Sequence, residues 1–338
     1  MLRTLLLFLL LSVTSYGQMY SLKYIDTKTN ASFRGLSAAD EHAIWVSGSK
    51  GWIGRSSDGS KDWTFKQVPG YETCDFRSLY AFDSNHAIIA NAGSPAYILC
   101  TNDGGASWKR VYTNTDSAAF IDGIGFWNKK DGIVYGDPIN GRMLLLSTKD
   151  GGKSWQESKN SPMLAKGEAS FAASGTTISC FNNKTTVVAI GGKNSKLLMS
   201  NDRCEHWQNI PTPMLATSES TGIFSFMAGD NSKHWFIAGG DYKNDSLKTA
   251  NFFYSQKKGK NWIAPATTTR GYRECLAQKN NTLFAVGPSG IDISTDNGVN
   301  WKALSDEKGF HVIKPSKDGQ HMFLAGSNGK LAIMNTEP

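Results

Sequence analysis

TKDGGKSW, residues 148–155, is one copy of a unit that recurs from one end of the chain to the other. The pattern is Ser or Thr, any residue, Asp, any residue, Gly, two further residues, then Trp. It returns as SSDGSKDW (56–63), TNDGGASW (101–108) and STDNGVNW (294–301). Two degenerate copies join them: SNDRCEHW (200–207) carries Cys204 where Gly is expected, and SQKKGKNW (255–262) carries Lys257 where Asp is expected. Recurrence at intervals of several tens of residues marks a repeat architecture.

Asp-Gly between two strands is a turn signal, because Gly accepts positive φ at no steric cost and Asp bonds backbone amides of its own turn. The Trp that follows starts the next strand, where its ring covers the turn and packs between neighbouring units, worth roughly 2–3 kcal/mol when well buried. Asp58, Asp103, Asp150, Asp202 and Asp296, with Trp63, Trp108, Trp155, Trp207, Trp262 and Trp301, are therefore expected to be structural. A catalytic acid or a calcium ligand would need these carboxylates to converge, whereas the copies are spread through the chain.

Working outward from the motif exposes a longer unit: an apolar strand, a polar turn, a second strand ending in Gly, and a third strand before the Asp turn. First strands are expected near Phe33, Phe76, Ile121, Ala169, Gly222, Tyr272 and Phe310, and second strands ending near Gly48, Gly93, Gly136, Gly191, Gly239, Gly287 and Gly326. Both series give seven units, while the Asp motif occurs six times, because the last unit reaches only its third strand at residues 330–334. Residues 20–25 resemble the stretches that follow each Trp and supply the missing strand. The reading is all-β: a seven-bladed β-propeller with a WD40-like ring, its N-terminal strand closing the last blade, so that only short protected edges remain. Irregular insertions are expected around 176–184 and 242–249.

Met1 and Arg3 precede an apolar run at 5–11, and Ser15 and Gly17 place small residues where a signal peptidase reads. Residues 1–17 are read as a signal peptide, too short to span a hydrocarbon core that needs about twenty apolar residues, and no lipid-attachment Cys follows. Residues 18–338 are then one exported propeller, periplasmic or extracellular. Five cysteines, an odd number with no CxxC spacing, read as buried strand thiols. The net charge of +7, one less without Arg3, fits an acidic partner or a membrane surface only weakly, and no basic run of nucleic-acid type is present.

His42, His86, His234 and His321 each adjoin the start of a second strand in a different unit, and no ligand spacing links them, so neither a metal nor another cofactor is expected. In a propeller the first strands line the central channel, and charge gathers where they enter it. Arg34, Arg77, Asp122, Glu168 and Arg273 enter first strands, while Asp137, Arg142 and Asp241 sit on second-to-third turns of the same face. The arginine forks suit a carboxylate or phosphate, and Asp122 with Glu168, or Tyr272, are the candidate catalytic groups.

The motif resembles the bacterial neuraminidase (BNR) repeat, or Asp-box. The whole layout is similar to the exported propeller family of the photosystem II stability and assembly factor, carried by segments such as FRSLYAFDSNHAI at Phe76, GEASFAASG at Gly167 and GYREC at Gly271. That resemblance implies a seven-bladed scaffold that holds a protein client through an arginine-lined surface, here matched by Arg34, Arg77 and Arg273. The leading expectation is a non-enzymatic, monomeric propeller that binds a protein client or a carbohydrate at the pore mouth. The alternative, a sialidase-like glycoside hydrolase or lyase, departs from its family at the residue pair Gly35-Leu36, where an apolar residue and Pro are expected.

Overall fold

The computed structural model describes residues 20–229 and 233–336, and the expected leader at 1–17 lies outside the described residues. These residues form seven antiparallel sheets. The first is Phe33–Ala38, Ile44–Gly48, Trp52–Ser56 and Thr64–Gln67, paired in that order. The others repeat the order, their inner strands being Ser78–Ala81, Ile121–Phe126, Ile178–Phe181, Thr221–Ala228, Cys275–Lys279 and Phe310–Pro315. No α-helix occurs among the described residues, which contain one 3-10 turn at Ser49–Gly51. The seventh sheet is closed by Tyr20–Tyr24, which pairs antiparallel with Leu331–Thr336, Leu22 lying opposite Met334. The expected closure is therefore observed.

The blades are held by apolar faces that interleave between neighbours. Ile44 and Val46 of the first blade share one cluster with Phe310, Val312 and Leu331 of the seventh and Phe284 of the sixth. Trp45 is fully buried and meets Trp108 of the next blade edge-on at 6.2 Å between ring centroids. The glycine that ends many second strands has a steric cause. A methyl group at Gly48, Gly136, Gly239 or Gly326 would collide with the carbonyl oxygen of Ser32, Phe120, Gly222 or Gly309, where the chain enters or approaches its inner strand. In the second blade the strand stops earlier, at Ala90. Beyond it the Asn91 side chain takes over backbone pairing, accepting from Tyr97 N at 2.6 Å and donating to Gly93 O and Pro95 O.

The Asp turns of the first four blades are tied twice. In the third blade Thr148 Oγ1 donates to Asp150 at 2.8 Å and accepts from Gly152 N, while Asp150 accepts from Ser154 N. The turn is then fastened to the hairpin joining the first two strands of its own blade: Gly59 N donates to His42 O, Gly104 N to Asn85 O and Gly151 N to Lys130 O. The slot written as Gly in the motif is left-handed in all six copies, with Gly105, Gly152, Gly259 and Gly298 at φ +81°, +82°, +77° and +85°. Ser60, at +70°, occupies that slot in the first copy, and Cys204, at +73°, in the fourth.

Two blades depart from the repeat. The fifth has three strands, and its fourth is reduced to a bridge between Tyr254 and Ile263. In the fourth, the inner strand expected near Ala169 is split: Glu168–Ala169 and Ile178–Phe181 both pair with Thr185–Gly192, and residues 170–177 leave the sheet between them.

Candidate functional site

Residues 170–177 go into the channel. Their hydrogen bonds reach four other blades: Ser170 N to Asp137 in the third, the Ala173 carbonyl from Arg34 in the first at 2.8 Å, Ser174 Oγ to Glu274 O beside the sixth at 2.8 Å, and Thr176 Oγ1 to Ser225 in the fifth at 2.8 Å. Ala172, Ala173, Ser174 and Thr177 are buried. A segment that bonds to blades all around a ring occupies its centre, so the channel is plugged from within. The remaining mouth, on the face away from the Asp turns, is lined by the entries to the inner strands.

The plug is pinned by an ion-pair cluster. Arg34 Nη1 donates both to the Ala173 carbonyl and to Glu274 Oε2 at 2.6 Å, and His311 Nδ1 lies 3.0 Å from the same carboxylate oxygen. Its other ring nitrogen is 3.2 Å from Ser32 Oγ. The Glu274 side chain is 6% exposed and that of Arg34 20%. Burial alone would raise the Glu274 carboxyl, but the Arg34 guanidinium and the His311 hydrogen bond outweigh it and hold it below the ordinary range.

Arg77 is the more open arginine of this mouth, with its Nε on Asp75 at 2.7 Å. Asp122 stands on the inner wall with no exposed surface and no hydrogen-bond partner on either carboxylate oxygen. Burial, then the charge of Asp137, pushes its carboxyl well above the usual range, with Arg77 opposing. Asp137 is also raised by burial, although it accepts the Ser170 amide. Beside the charges lies an aromatic group: Phe171 of the plug stacks on Phe224 at 3.8 Å, Phe224 meets Tyr272 edge-on at 4.6 Å, and Tyr242 stands over both, 48% exposed.

Arg34, Arg77, Asp122, Asp137 and Tyr272 are thus brought to one inner wall, and four other candidates are not. Arg273 is fully buried and turned into its own blade, its Nε and Nη2 on Asp292 Oδ2 at 2.8 and 2.5 Å. Glu168 binds Lys196 at 2.7 Å, Asn194 and the Ala165 amide; burial works to raise its carboxyl and these partners lower it overall. Arg142 is exposed and donates to the Ser161 carbonyl. Asp241 caps the turn that carries Tyr242 outward, accepting from Lys243 N at 2.9 Å. Glu274 and the aromatic pair Phe171 and Phe224 are the residues missed as site members. Strand parity was the available signal, since Glu274 follows Arg273 and must face the opposite way.

Chemically, the mouth can bind but is poorly arranged to cleave. Asp122 has no hydrogen-bond partner while Glu168 is held by Lys196 and Asn194, and Tyr272 is buried, its phenol raised well above the ordinary range by burial and then by Glu274. Removing its proton to make a nucleophile is correspondingly unfavourable. Among the described residues no cluster of three or more His, Cys, Asp or Glu could hold a metal ion. Guanidinium groups beside an exposed aromatic surface suit a peptide that brings a carboxylate and an apolar side chain.

Residues 15–117 match the family described as photosynthesis system II assembly factor YCF48, and residues 143–286 match the family described as sortilin, neurotensin receptor 3. The photosystem II assembly lipoprotein Ycf48 of Synechococcus sp. (strain CC9902) is 22% identical over 313 residues, which span 91% of this chain and 86% of the relative. Among solved structures, YCF48 bound to D1 peptide superposes with a TM-score of 0.67 at 18% identity, covering 94% of this chain and 97% of that one. The GH74 xyloglucanase of Xanthomonas campestris gives 0.66 at 13% identity, covering 93% of this chain and 53% of that one. The shared fold is the seven-bladed ring, and the chain is similar to the photosystem II assembly factors.

Proposed function

We propose that this BNR-type propeller is a non-enzymatic, assembly-factor-like scaffold that docks a segment of a protein client on the plugged mouth. The observation that carries the reading is the plug itself. It closes the channel behind the mouth, so a ligand meets a floor made of Phe171 and Arg34 with Arg77 and Tyr242 at its edge, a surface suited to a peptide. Similarity to an assembly lipoprotein over most of both chains supports the same reading, as does the solved relative that holds a peptide.

The chemistry of the mouth narrows the client. Arg77 offers guanidinium edges left over from Asp75, and Tyr242 offers an exposed ring, so the segment bound carries a carboxylate, from a side chain or a chain end, next to an apolar residue. The signal-like leader and the lipoprotein relative support a client in the cell envelope. Arg142 and Asp241, on the rim, are positions a larger client would touch. Capture of envelope proteins on the immobilised chain tests this, with Arg77→Ala/Tyr242→Ala as the comparison. A protein retained by wild type and lost by the double variant supports the reading. Equal retention, or retention only of glycans, overturns it.

A further inference from the structure

Blade four differs from the others in one more respect: two of its cysteines share a hydroxyl. Cys180 Sγ lies 3.8 Å from Thr186 Oγ1, and Cys204 Sγ lies 3.5 Å from the same oxygen. The register explains the meeting. Cys180 is directly opposite Thr186 on one side of the central strand, and Ser200 is opposite it on the other. Ser200 Oγ in turn accepts from the amide of Cys204 at 2.8 Å, which folds the Asp turn back over Thr186.

Cys204 also sits where a side chain is least expected. Its φ of +73° is the left-handed value that Gly105, Gly152, Gly259 and Gly298 take in the corresponding turns. The thiol from this slot points inward and is buried. Cys180 is half-buried and helps line a cavity of about 500 Å³ at the channel mouth on the Asp-turn face, with Tyr80, Ile178 and Lys314. Cys180 therefore borders the cavity, and both thiols lie against the same Thr186 hydroxyl. Cys74, Cys100 and Cys275 lie outside this blade.

We propose that Cys180 and Cys204 form a redox pair that closes to a disulfide when the chain meets a thiol-disulfide oxidant, such as an oxidoreductase or glutathione disulfide. The Cys180 thiolate attacks a sulfur of the oxidant, forming a mixed disulfide and expelling one thiolate. The Cys204 thiolate then attacks Cys180 Sγ and expels the second. Two protons leave the cysteines, and the two electrons reside on the reduced oxidant. Burial raises both thiols, Cys204 to about 12, so few thiolates exist at neutral pH and closure without a catalyst is slow. The bond would tie Ile178–Phe181, the strand that emerges from the plug, to the outer turn of its own blade.

The test uses the whole chain equilibrated in oxidised and reduced glutathione, then unfolded, alkylated and mapped by mass spectrometry. The expected result is a fall from five alkylated thiols to three, with a peptide linking 180 to 204 that is absent from Cys180→Ser. Cys204→Gly, which installs the residue of the regular turns, is expected to fold, keep its four thiols and resist urea equally with and without oxidant. Wild type is expected to shift its urea midpoint upward on oxidation. Five alkylated thiols in wild type under full oxidation, or a linkage between other cysteines, overturns the proposal.

Discussion

Arg34 pins the channel plug, and replacing it with Met tests that role quantitatively. The substitution keeps most of the side-chain volume but leaves the Glu274 carboxylate, 6% exposed, without its guanidinium, and the Ala173 carbonyl without its donor. Breaking a buried ion pair costs about 3–5 kcal/mol. Arg34 is itself 20% exposed and His311 remains beside the carboxylate, so the lower end, about 3 kcal/mol, is expected. Arg34→Met/Glu274→Gln removes the stranded charge and is expected to recover most of that loss, giving a coupling of about 2 kcal/mol in a double-mutant cycle. Urea unfolding followed by Trp fluorescence measures the cycle, and hydrogen exchange of residues 170–177 reports where the change lies. If Arg34→Met costs under about 0.5 kcal/mol, or the two changes simply add, the cluster does not pin the plug and the reasoning fails.

Two further outcomes follow from the same structure. Burial and the charge of Asp137 raise the Asp122 carboxyl, so the folded chain holds that proton to a higher pH than the unfolded chain and loses stability as pH rises from about 4 through the raised value. Asp122→Asn is expected to match wild type at the acid end and exceed it at pH 8; a variant less stable at pH 8 would contradict the assignment. A chain lacking residues 20–24 leaves Leu331–Thr336 as an open sheet edge carrying buried Leu331 and Ile333. It is expected to aggregate in light scattering where the intact propeller does not.

Much of the ring was legible because its determinants are local. An Asp turn needs only its own eight residues, and the glycine at the end of a second strand is fixed by one carbonyl of its own blade, so counting such features counts blades. The closing strand was legible for the same reason, as the partner that residues 331–336 lacked. The mouth was harder to read because it depends on contacts between blades far apart in sequence. Arg34 and Glu274 are 240 positions apart, and which residue of the Arg273-Glu274 pair faces the channel is a matter of register. An irregular insertion was expected at 176–184, where the structure has the inner strand Ile178–Phe181, and nothing local says that residues 170–177 turn inward. The Asp292 that takes Arg273 out of the channel lies in the third strand of its blade, and apart from its type that position gives no hint of the pairing.

The central claim is that clients dock on the plugged mouth and not on the Asp-turn face. A photo-activatable cross-linking residue in place of Tyr242, exposed at the mouth, compared with one in place of Lys61, exposed on an Asp turn, tests it in envelope extracts. The account predicts a discrete protein adduct from position 242 that disappears with Arg77→Ala, and none from position 61. Adducts from position 61 alone, or from both faces regardless of Arg77, would contradict it.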